Sequence, residues 1–351
     1  MITLGIETSC DETAVAVMKG RKVLGENIAS SAKDQAPFGG IVPEIASRCH
    51  VEAVLPCIDR ALKQSKISLK DVDLIAVTQG PGLMGSLLVG VAVAKALALA
   101  LKVPVVGVDH VLAHAYSGQL MQKKTTFPFV GLVVSGGHTL LTHWKDEARV
   151  AIIGRTFDDA SGEAFDKVAK MMDLGYPGGP VIDRISRGVD PALYPFPRPW
   201  IQEKHYHFSF SGLKTAVLYK IRDIRAGREL TDKDKREIAS GFQEAVCDVL
   251  VEKSLRACAA YKARTLSVGG GVAANSRLRE KLPEAAAKRG MKLNILFPTL
   301  RLSADNAVMI AALGQALAAR RKPKPGARFE PYSDFFVPKR RIVYNTGSTS
   351  K

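Results

Sequence analysis

One stretch of sequence occurs twice along this chain of 351 residues, and the repetition constrains the fold more than any other feature. Residues 4–13 align with residues 130–139 at one constant offset. The identical positions are Gly5, Ser9 and Thr13 in the first copy and Gly131, Ser135 and Thr139 in the second. Each copy predicts a strand, a tight polar turn and a second strand. The result is a hairpin whose turn can offer backbone N–H groups to an anion.

Two looser correspondences follow in the same order. In residues 74–82 and 266–272 a buried strand runs into a glycine turn and a helix. Strand 105–108 then leads into the helix of His110, as strand 295–297 leads into that of Asp305. Strand–glycine–helix units are common in α/β proteins, so a single correspondence of this kind is weak evidence for a repeated unit. Three in order predict an α/β fold of two similar lobes, with a ligand cleft between them.

The length and composition favour a cytoplasmic protein of two domains. A chain of 351 residues is too long for one ordinary core. Its five cysteines are odd in number and lack CxxC spacing, which indicates a reducing compartment. The first six residues predict a strand and not a signal peptide. The most apolar segment, residues 87–108, contains Lys95, Lys102 and Pro104, so we expect a buried helix and strand there and no membrane contact.

The net charge of +16 indicates a polyanionic partner, nucleic acid first among them. Cations concentrate between residues 184 and 236 and again from residue 320 to residue 341. The first of these stretches also interleaves aromatic residues, namely Tyr194, Phe196, Trp200, Tyr206, Phe208 and Phe210. Such a stretch predicts phosphate contacts beside stacking surfaces, with a solvated basic face as the alternative.

His110 and His114 place two imidazoles one helical turn apart on one face. Neutral imidazole is a common transition-metal ligand, although two core histidines would give the same spacing. The motif is not HExxH, because Val111 follows His110 and no glutamate is there to activate water. The third sequence correspondence pairs the helix of His110 with that of Asp305, so Asp305 is a candidate third ligand. The alternative is an ordinary carboxylate at the start of a helix.

Glycine-rich turns accompany these histidines. Ser135, Gly136 and Gly137 can bring backbone N–H groups close to a phosphate or carboxylate. Residues 269–271 precede Asn275, which could hydrogen-bond a nucleoside, and Asp166 or Asp183 could accept ribose hydroxyls. The turn at residues 176–180 could approach a base or sugar. Ordinary turn chemistry is the alternative for each, and the GxxxxGK[ST] and GxGxxG phosphate signatures are absent.

The combination of motifs resembles the tRNA adenosine threonylcarbamoyltransferases of the bacterial branch. The resemblance runs from Met1 to about Val337 and rests on residues 5–13 (GIETSCDET), 39–44 (GGIVPE), 80–82 (GPG), 110–114 (HVLAH), 135–139 (SGGHT), 158–167 (DDASGEAFDK), 209–215 (SFSGLKT), 269–275 (GGGVAAN) and 305–306 (DN). It implies an actin-like (ASKHA, ribonuclease H-like) fold. We therefore expect a first lobe of residues 1–110 with about 306–337, and a second lobe of residues 111–305 with a basic insertion at about 184–236. Residues 338–351 are expected to form a flexible basic tail.

The resemblance also implies the ligands of the site. His110, His114 and Asp305 would hold one divalent metal ion, iron(II) first and zinc(II) as the alternative, because two histidines and an aspartate suit both. The residues expected to bind threonylcarbamoyl-AMP are Val133, Val134, Ser135, Gly136, Gly137, Asp166, Gly179, Asp183 and Asn275.

The expected reaction is attack on this donor by the N6 amine of the adenosine 3′ to the anticodon, in tRNAs reading codons that begin with A. Asp11 or Glu12 would accept the amine proton, with His138 as second choice. Expected partners are tRNA, a smaller actin-like paralogue and a P-loop ATPase. The alternatives are a small-molecule kinase of the same superfamily, a metalloprotease, and a non-catalytic scaffold, which would lack the metal residues.

Overall fold

A computed structural model describes residues 1–38, 41–323, 325–326 and 328–333. These residues form two compact units. Unit 1 contains Met1–Leu120, Asp146–Val150 and the described residues from 304 to 333, and unit 2 contains Met121–Lys145 and Ala151–Ser303. His114 and Asp305, which we had expected in the second lobe, are therefore both in unit 1. The predicted tail at residues 338–351 lies outside the described residues.

Strands and helices alternate along most of the chain. The strands are β1 (Ile2–Glu7), β2 (Glu12–Lys19), β3 (Lys22–Ser30), β4 (Leu74–Gly80), β5 (Val105–Asp109), β6 (Phe129–Val134), β7 (Thr139–Trp144), β8 (Val150–Arg155), β9 (Thr265–Gly269) and β10 (Asn294–Leu296). The α-helices are α1 (Ala32–Gln35), α2 (Pro43–Ser65), α3 (Met84–Leu101), α4 (His110–Ser117), α5 (Ser161–Met171), α6 (Gly178–Ile185), α7 (Ser211–Arg225), α8 (Asp232–Ala260), α9 (Ser276–Lys288) and α10 (Ala307–Arg321).

The two units contain sheets of the same strand order. The sheet of unit 1 runs β3-β2-β1-β4-β5, and that of unit 2 runs β8-β7-β6-β9-β10. The first hairpin of each is antiparallel, β1 with β2 and β6 with β7. In each sheet the first strand then pairs in parallel with a later one, β1 with β4 and β6 with β9. The predicted repetition of a hairpin followed by strand–glycine–helix units is confirmed.

Parallel pairing in unit 1 brings three strand ends to one edge of the sheet. β1 is parallel to β4, and β4 is parallel to β5. Because parallel strands end on the same side, Glu7, Thr78 and Asp109 all lie at the carboxyl edge. Helix α10 covers this sheet so closely at β1 that a Cβ on Gly5 would lie 2.4 Å from the carbonyl oxygen of Ala307. The helix that follows Asp305 is thereby fixed against the strand that carries Glu7.

Helix α3 is less buried than the sequence predicts. One face, which includes Leu87, Val91 and Ala98, packs into the core of unit 1, but Leu88 and Leu99 are 50% and 77% exposed. Among the described residues it is the one helix whose length and hydropathy would suffice to cross a membrane, and core helices of soluble proteins often pass that test as well. Its exposed apolar face lies beside α2, which also exposes leucine and valine side chains.

Candidate active site

Two helix starts in unit 1 carry the predicted metal ligands. Helix α4 begins at His110 because Asp109 caps it, its Oδ1 accepting the N–H of Leu112 at 2.8 Å. Helix α10 begins directly after Asn306, whose side chain accepts the N–H of Met309 at 2.9 Å. The capping residues thus fix the helix ends from which the imidazoles and the Asp305 carboxylate project.

The two imidazoles converge on one carboxylate oxygen. Oδ1 of Asp305 lies 3.0 Å from Nε2 of His114 and 3.5 Å from Nε2 of His110. One ligand atom from each residue lies within 4.8 Å of the other two. The structure therefore brings together the three residues that the spacing and the third sequence correspondence nominated.

Glu7 completes this cluster from the end of β1. Its Oε2 lies 2.8 Å from Nδ1 of His110, on the side of the ring away from Asp305. Glu7 is itself held by the hydroxyl of Thr78 at 2.6 Å and by the backbone N–H of Ser9 at 2.5 Å. Burial alone would lower the pKa of His110, but the charges of Glu7 and Asp305 outweigh it and raise that pKa well above the ordinary value.

This donor set fits a divalent transition metal. Two imidazole nitrogens and one carboxylate oxygen leave coordination positions open, as catalytic iron and zinc sites require. Metal-bound histidines commonly donate their other ring N–H to a carboxylate, which fixes the tautomer and makes the ligand more basic, and Glu7 is placed to accept from His110 in this way. The buried carboxylate of Glu7 and the partly buried carboxylate of Asp305, on the two sides of His110, also favour a cation at this point of unit 1.

Asp11 and Glu12 follow the first hairpin turn of unit 1 and are partly buried. Burial, together with the hydrogen bond and charge of Asp11, raises the pKa of Glu12 to about 9. Glu12 is therefore protonated at neutral pH and shares a hydrogen bond with its neighbour.

In unit 2 the turn between β6 and β7 is held by hydrogen bonds between Ser135 and His138. Ser135 donates its N–H to the carbonyl of His138 at 2.8 Å, and the N–H of His138 returns to Oγ of Ser135 at 3.1 Å. Gly136 and Gly137 are exposed, and no atom lies within 4 Å of where a Cβ would stand on either. Val133 and Val134 are fully buried in β6, so only their backbone can meet a ligand.

Asp166 and Asp183, which were also predicted to bind the donor, accept hydrogen bonds at the first turns of two helices in unit 2. Asp166 accepts the N–H of Gly178 at 2.7 Å at the first turn of α6, which also contains Gly179. Burial raises the pKa of this carboxyl, and the N–H groups of α6 offset part of that rise. Asp183 accepts both the N–H and the hydroxyl of Ser276 at the start of α9, at 3.0 and 2.7 Å.

Asn275 caps α9 and donates to Oε1 of Gln243 at 2.7 Å. Gln243 in turn donates to the hydroxyl of Ser186 at 2.7 Å. A cavity of about 610 Å³ opens beside these side chains and is lined in part by Ser186, Gln243 and Ser276. The amide network thus joins Asn275 to Gln243 and Ser186, two side chains that line this cavity of unit 2.

The basic stretch at residues 184–236 is more tightly paired than its sequence indicates. Six of its cations contact carboxylates, in the pairs Arg187–Asp183, Arg198–Asp248, Lys214–Asp159, Arg225–Asp173, Arg228–Asp234 and Lys233–Glu237. Of the six aromatic residues predicted to provide stacking surfaces, Phe196, Phe208 and Phe210 belong to the core of unit 2. The prediction of stacking surfaces is therefore wrong for these three, whereas Trp200 remains 38% exposed.

Comparison with known proteins decides the family to which this chain belongs. The family model "TsaD: tRNA N6-adenosine threonylcarbamoyltransferase" matches residues 22–312. Proteins of that name include one from Bacillus cereus, 48% identical over 315 residues, which are 89% of this chain and 90% of the relative. Others come from Thermosipho melanesiensis, at 47% identity over 90% of this chain and 95% of the relative, and Symbiobacterium thermophilum, at 49% over 90% and 91%.

The chain belongs to the TsaD family. It is accordingly a transferase, and the predicted resemblance is confirmed. Among solved structures, full-length HypF in its phosphate- and nucleotide-bound form is similar at a TM-score of 0.59 and 14% identity, over 92% of this chain and 46% of HypF. That likeness concerns the fold alone, and it supports the actin-like, two-lobed α/β class expected for a TsaD protein.

Sequence reasoning missed Glu7 in this TsaD chain. The residue ends an otherwise apolar strand, and a carboxylate placed there is a signal that could have marked it. It also missed the roles of Asp158 and Asp159. Asp158 accepts hydrogen bonds from Ser209 and Ser211 at the start of α7, and Asp159 joins Lys167 to Lys214. These two aspartates hold α5 and α7 together.

Proposed function

We propose that this chain transfers the threonylcarbamoyl group of threonylcarbamoyl-AMP to the N6 amine of an adenosine in tRNA and releases AMP. The acceptor is the adenosine on the 3′ side of the anticodon in tRNAs that read codons beginning with A. The observation that carries this proposal is the complete cluster of His110, His114 and Asp305, with Glu7 behind it, in a chain of the TsaD family.

His110, His114 and Asp305 are the residues that would hold a divalent metal ion. Iron(II) is the first candidate and zinc(II) the second, since both accept this ligand set. When bound, the ion would supply Lewis-acid polarisation of donor oxygens. Glu7 would keep Nε2 of His110 available as a ligand by accepting the proton of Nδ1.

The donor would be bound by residues of unit 2. Backbone N–H groups of Gly136 and Gly137 would donate hydrogen bonds that stabilise the negative charge growing on the leaving phosphate, whereas the N–H of Ser135 holds the turn by donating to His138. The exposed glycines support this role, because no side chain screens their backbone. The remaining donor contacts would come from the backbone of Val133 and Val134 and from Asp166, Gly179, Asp183 and Asn275.

In the transfer step a bond forms between N6 of adenosine and the carbamoyl carbon. The bond from that carbon to the phosphate oxygen breaks, and AMP leaves with its electron pair. Asp11 would take the proton released from N6, because its neighbour Glu12, with a pKa of about 9, already carries one. His138, in the turn of unit 2, is the second choice for this role.

We further propose that the enzyme acts in the cytoplasm with a smaller actin-like paralogue and a P-loop ATPase. The five cysteines are all free, as suits a reducing compartment. The exposed apolar side chains of α2 and α3, such as Leu55 and Leu88, support a protein partner on this face of unit 1.

The test is a tRNA modification assay with the partner proteins present and the donor supplied. Nucleosides from the tRNA are identified by mass spectrometry. We expect wild-type protein to convert the adenosine beside the anticodon, and His110→Ala, Asp305→Ala and Asp11→Ala to lose at least about a hundredfold in rate. His143→Ala, which changes a buried histidine of β7 that is neither a metal ligand nor a predicted donor-binding residue, is the matched control and should retain activity. Wild-type rates in the metal-site variants would refute the mechanism, and phosphorylation of a small molecule at the expense of ATP would favour the kinase alternative.

A further inference from the structure

Four ring side chains meet on the surface of unit 2, where β8 ends. The ring of Phe157 lies 6.0 Å from that of Trp200 and 4.8 Å from that of His207. His205 lies 5.2 Å from Trp200 and 5.3 Å from His207, so the contacts close into a ring of four residues. Phe157 is 60% exposed and Trp200 38% exposed. We call Phe157, Trp200, His205 and His207 the aromatic platform.

The backbone beneath the aromatic platform is held in place by two cations of α8. Arg256 donates to the carbonyl oxygens of Ile201, Glu203 and His205. Lys253, which is fully buried, donates to the same carbonyl of His205 at 3.0 Å. The loop that carries Trp200 and His205 is therefore fixed before any ligand arrives, which reduces the entropy lost on binding.

Trp200 adopts a backbone conformation that its side chain does not favour. Its φ of +55° lies in the left-handed region, which is uncommon for bulky residues. Strained residues of this kind persist where the surrounding structure imposes them, and they cluster at ligand-binding sites. A large apolar ring that is both strained and partly exposed is not explained by packing, because burial of that ring is incomplete.

The rings and positive charges around the aromatic platform indicate that its ligand is a single-stranded nucleic acid. Arg155 places its guanidinium 5.5 Å from the centre of the Phe157 ring, and Lys204 is exposed in the same loop. The one exposed acid of the loop is Glu203. Burial and the neighbouring charges of His205 and Arg155 lower the pKa of His207, so this imidazole is neutral at pH 7 and can stack or hydrogen-bond. Aromatic rings beside cations bind unpaired bases with little sequence preference.

The aromatic platform is also continuous with the hairpin turn proposed to bind the donor. Thr156 donates its N–H to the carbonyl of Thr139 at 2.8 Å, and Gly162 donates to the carbonyl of Ser135 at 3.1 Å. Phe157 lies between these two contacts in the chain. A base stacked on Phe157 would therefore lie within unit 2 next to the turn formed by residues 135–138.

We propose that the aromatic platform stacks unpaired bases of the anticodon loop of the tRNA substrate. This inference rests on the proposed function, which supplies the identity of the RNA. Its specific content is that the platform recognises unstacked bases and not the paired stem. Phe157 and Trp200 provide the stacking faces, and Arg155 provides a cation for the adjoining phosphate.

Intrinsic fluorescence gives a direct test, because the chain has two tryptophans and Trp144 is fully buried. The probe is an RNA hairpin with the anticodon stem and loop, and the control RNA is the same stem without a loop. We expect the hairpin to quench Trp200 and the paired stem to leave it unchanged. Phe157→Ala and Phe157→Leu should weaken hairpin binding on the order of tenfold, while Trp200→Tyr should bind nearly as the wild type. Tyr219→Ala, which removes an exposed aromatic from α7, is the matched control.

Two results would overturn the proposal. One is wild-type hairpin affinity in Phe157→Ala, and the other is equal quenching by the hairpin and the stem. An emission maximum of Trp144 that stays at the short wavelength of a buried indole shows that a variant is folded. The proposed function is tested separately. Wild-type protein that binds the hairpin but modifies no tRNA would refute the proposed function, but not the proposal that the aromatic platform binds unpaired bases. Quenching by a partner protein, with no effect of the variants on RNA affinity, would assign the surface to protein binding and refute the RNA proposal.

Discussion

Oε2 of Glu7 lies 2.8 Å from Nδ1 of His110, although the two residues are 103 positions apart in the chain. The contact depends on parallel pairing of β1 with β4 and of β4 with β5, which aligns the ends of these strands. Glu7 thereby determines which nitrogen of His110 is free to face Asp305.

Glu7→Gln is therefore expected to weaken metal binding by about ten- to a hundredfold, because the neutral amide makes His110 a poorer ligand. The measurement is competition for the bound metal against a chelator, followed by metal analysis. Thr13→Val is the control, since Thr13 is buried in β2 and hydrogen-bonds to His50, outside the cluster. Equal metal affinity in Glu7→Gln and wild type would contradict the role assigned to Glu7.

Gly162→Ala should distort the turn at residues 135–138. A Cβ on Gly162 would lie 2.6 Å from the carbonyl oxygen of Ser135 and 2.8 Å from backbone atoms of Gly136, so the turn must move. We expect the KM for the donor to rise about tenfold, with a loss of about 1–3 kcal/mol in stability. Steady-state kinetics and urea unfolding measure the two effects.

The matched control for this prediction is Gly212→Ala, also in the first turn of a helix, where no atom lies within 4 Å of the added Cβ. It should leave both the KM and the stability close to wild type. A normal KM for the donor in Gly162→Ala would mean that the turn does not bind the donor.

Glu244 should contribute to stability in a pH-dependent way. It receives two hydrogen bonds from Arg277, at 2.7 and 3.0 Å, and one from Lys281. Burial opposes these contacts, yet they lower the pKa of Glu244 from 4.5 to about 2. Because the pKa is lower in the folded state, the stabilisation is complete above pH 4.5 and is lost as the pH falls toward 2. Its upper limit is about 3 kcal/mol.

Glu244→Gln should therefore lower the urea midpoint at pH 7, and the difference from wild type should shrink steadily below pH 4.5. Glu252→Gln, which removes a more exposed ion pair with Arg289, should cost about 0–1 kcal/mol. A difference between Glu244→Gln and wild type that stays constant from pH 7 to about pH 3 would exclude the ion-pair explanation.

Arg222 and Arg225 should differ in their effect on tRNA binding. Both are exposed on α7, but Arg225 contacts Asp173 at 2.7 Å, whereas Arg222 has no ion pair among the residues that the structure describes. Arg222→Glu should weaken tRNA binding and reduce the slope of log K against log salt by about one to two. Affinity measured across a salt series tests this expectation, with Lys288→Glu on α9 as the control. An unchanged slope would mean that Arg222 makes no phosphate contact.

Much of the fold could be predicted from the sequence because the repeats are local. Residues 4–13 and 130–139 each form a hairpin from neighbouring residues, and turn chemistry and alternation determine such structures over short distances. The repeats also drew attention to Asp305 as a partner of His110 and His114, but these three residues meet because α10 packs against β1 and α4 within unit 1.

The rest depended on contacts between distant residues. Phe208 and Phe210 alternate with polar residues among many cations, which also suits an exposed binding stretch, but a bridge between Thr156 and Phe208 draws them into the core. The partner of Arg225 is 52 positions away, and charge counting cannot show that it is neutralised. Phe157 lies outside the basic stretch, and only the fold brings it to Trp200.

The two hairpins with equivalent strand pairing have diverged at their turns. The turn of the first is followed by the ionisable pair Asp11 and Glu12, and that of the second contains Gly136 and Gly137, which have no side chains to offer. With one such hairpin in each unit, the chain carries ionisable side chains at one turn and bare backbone N–H groups at the equivalent turn of the other sheet. A substitution in one turn can therefore alter one kind of chemistry and leave the other in place.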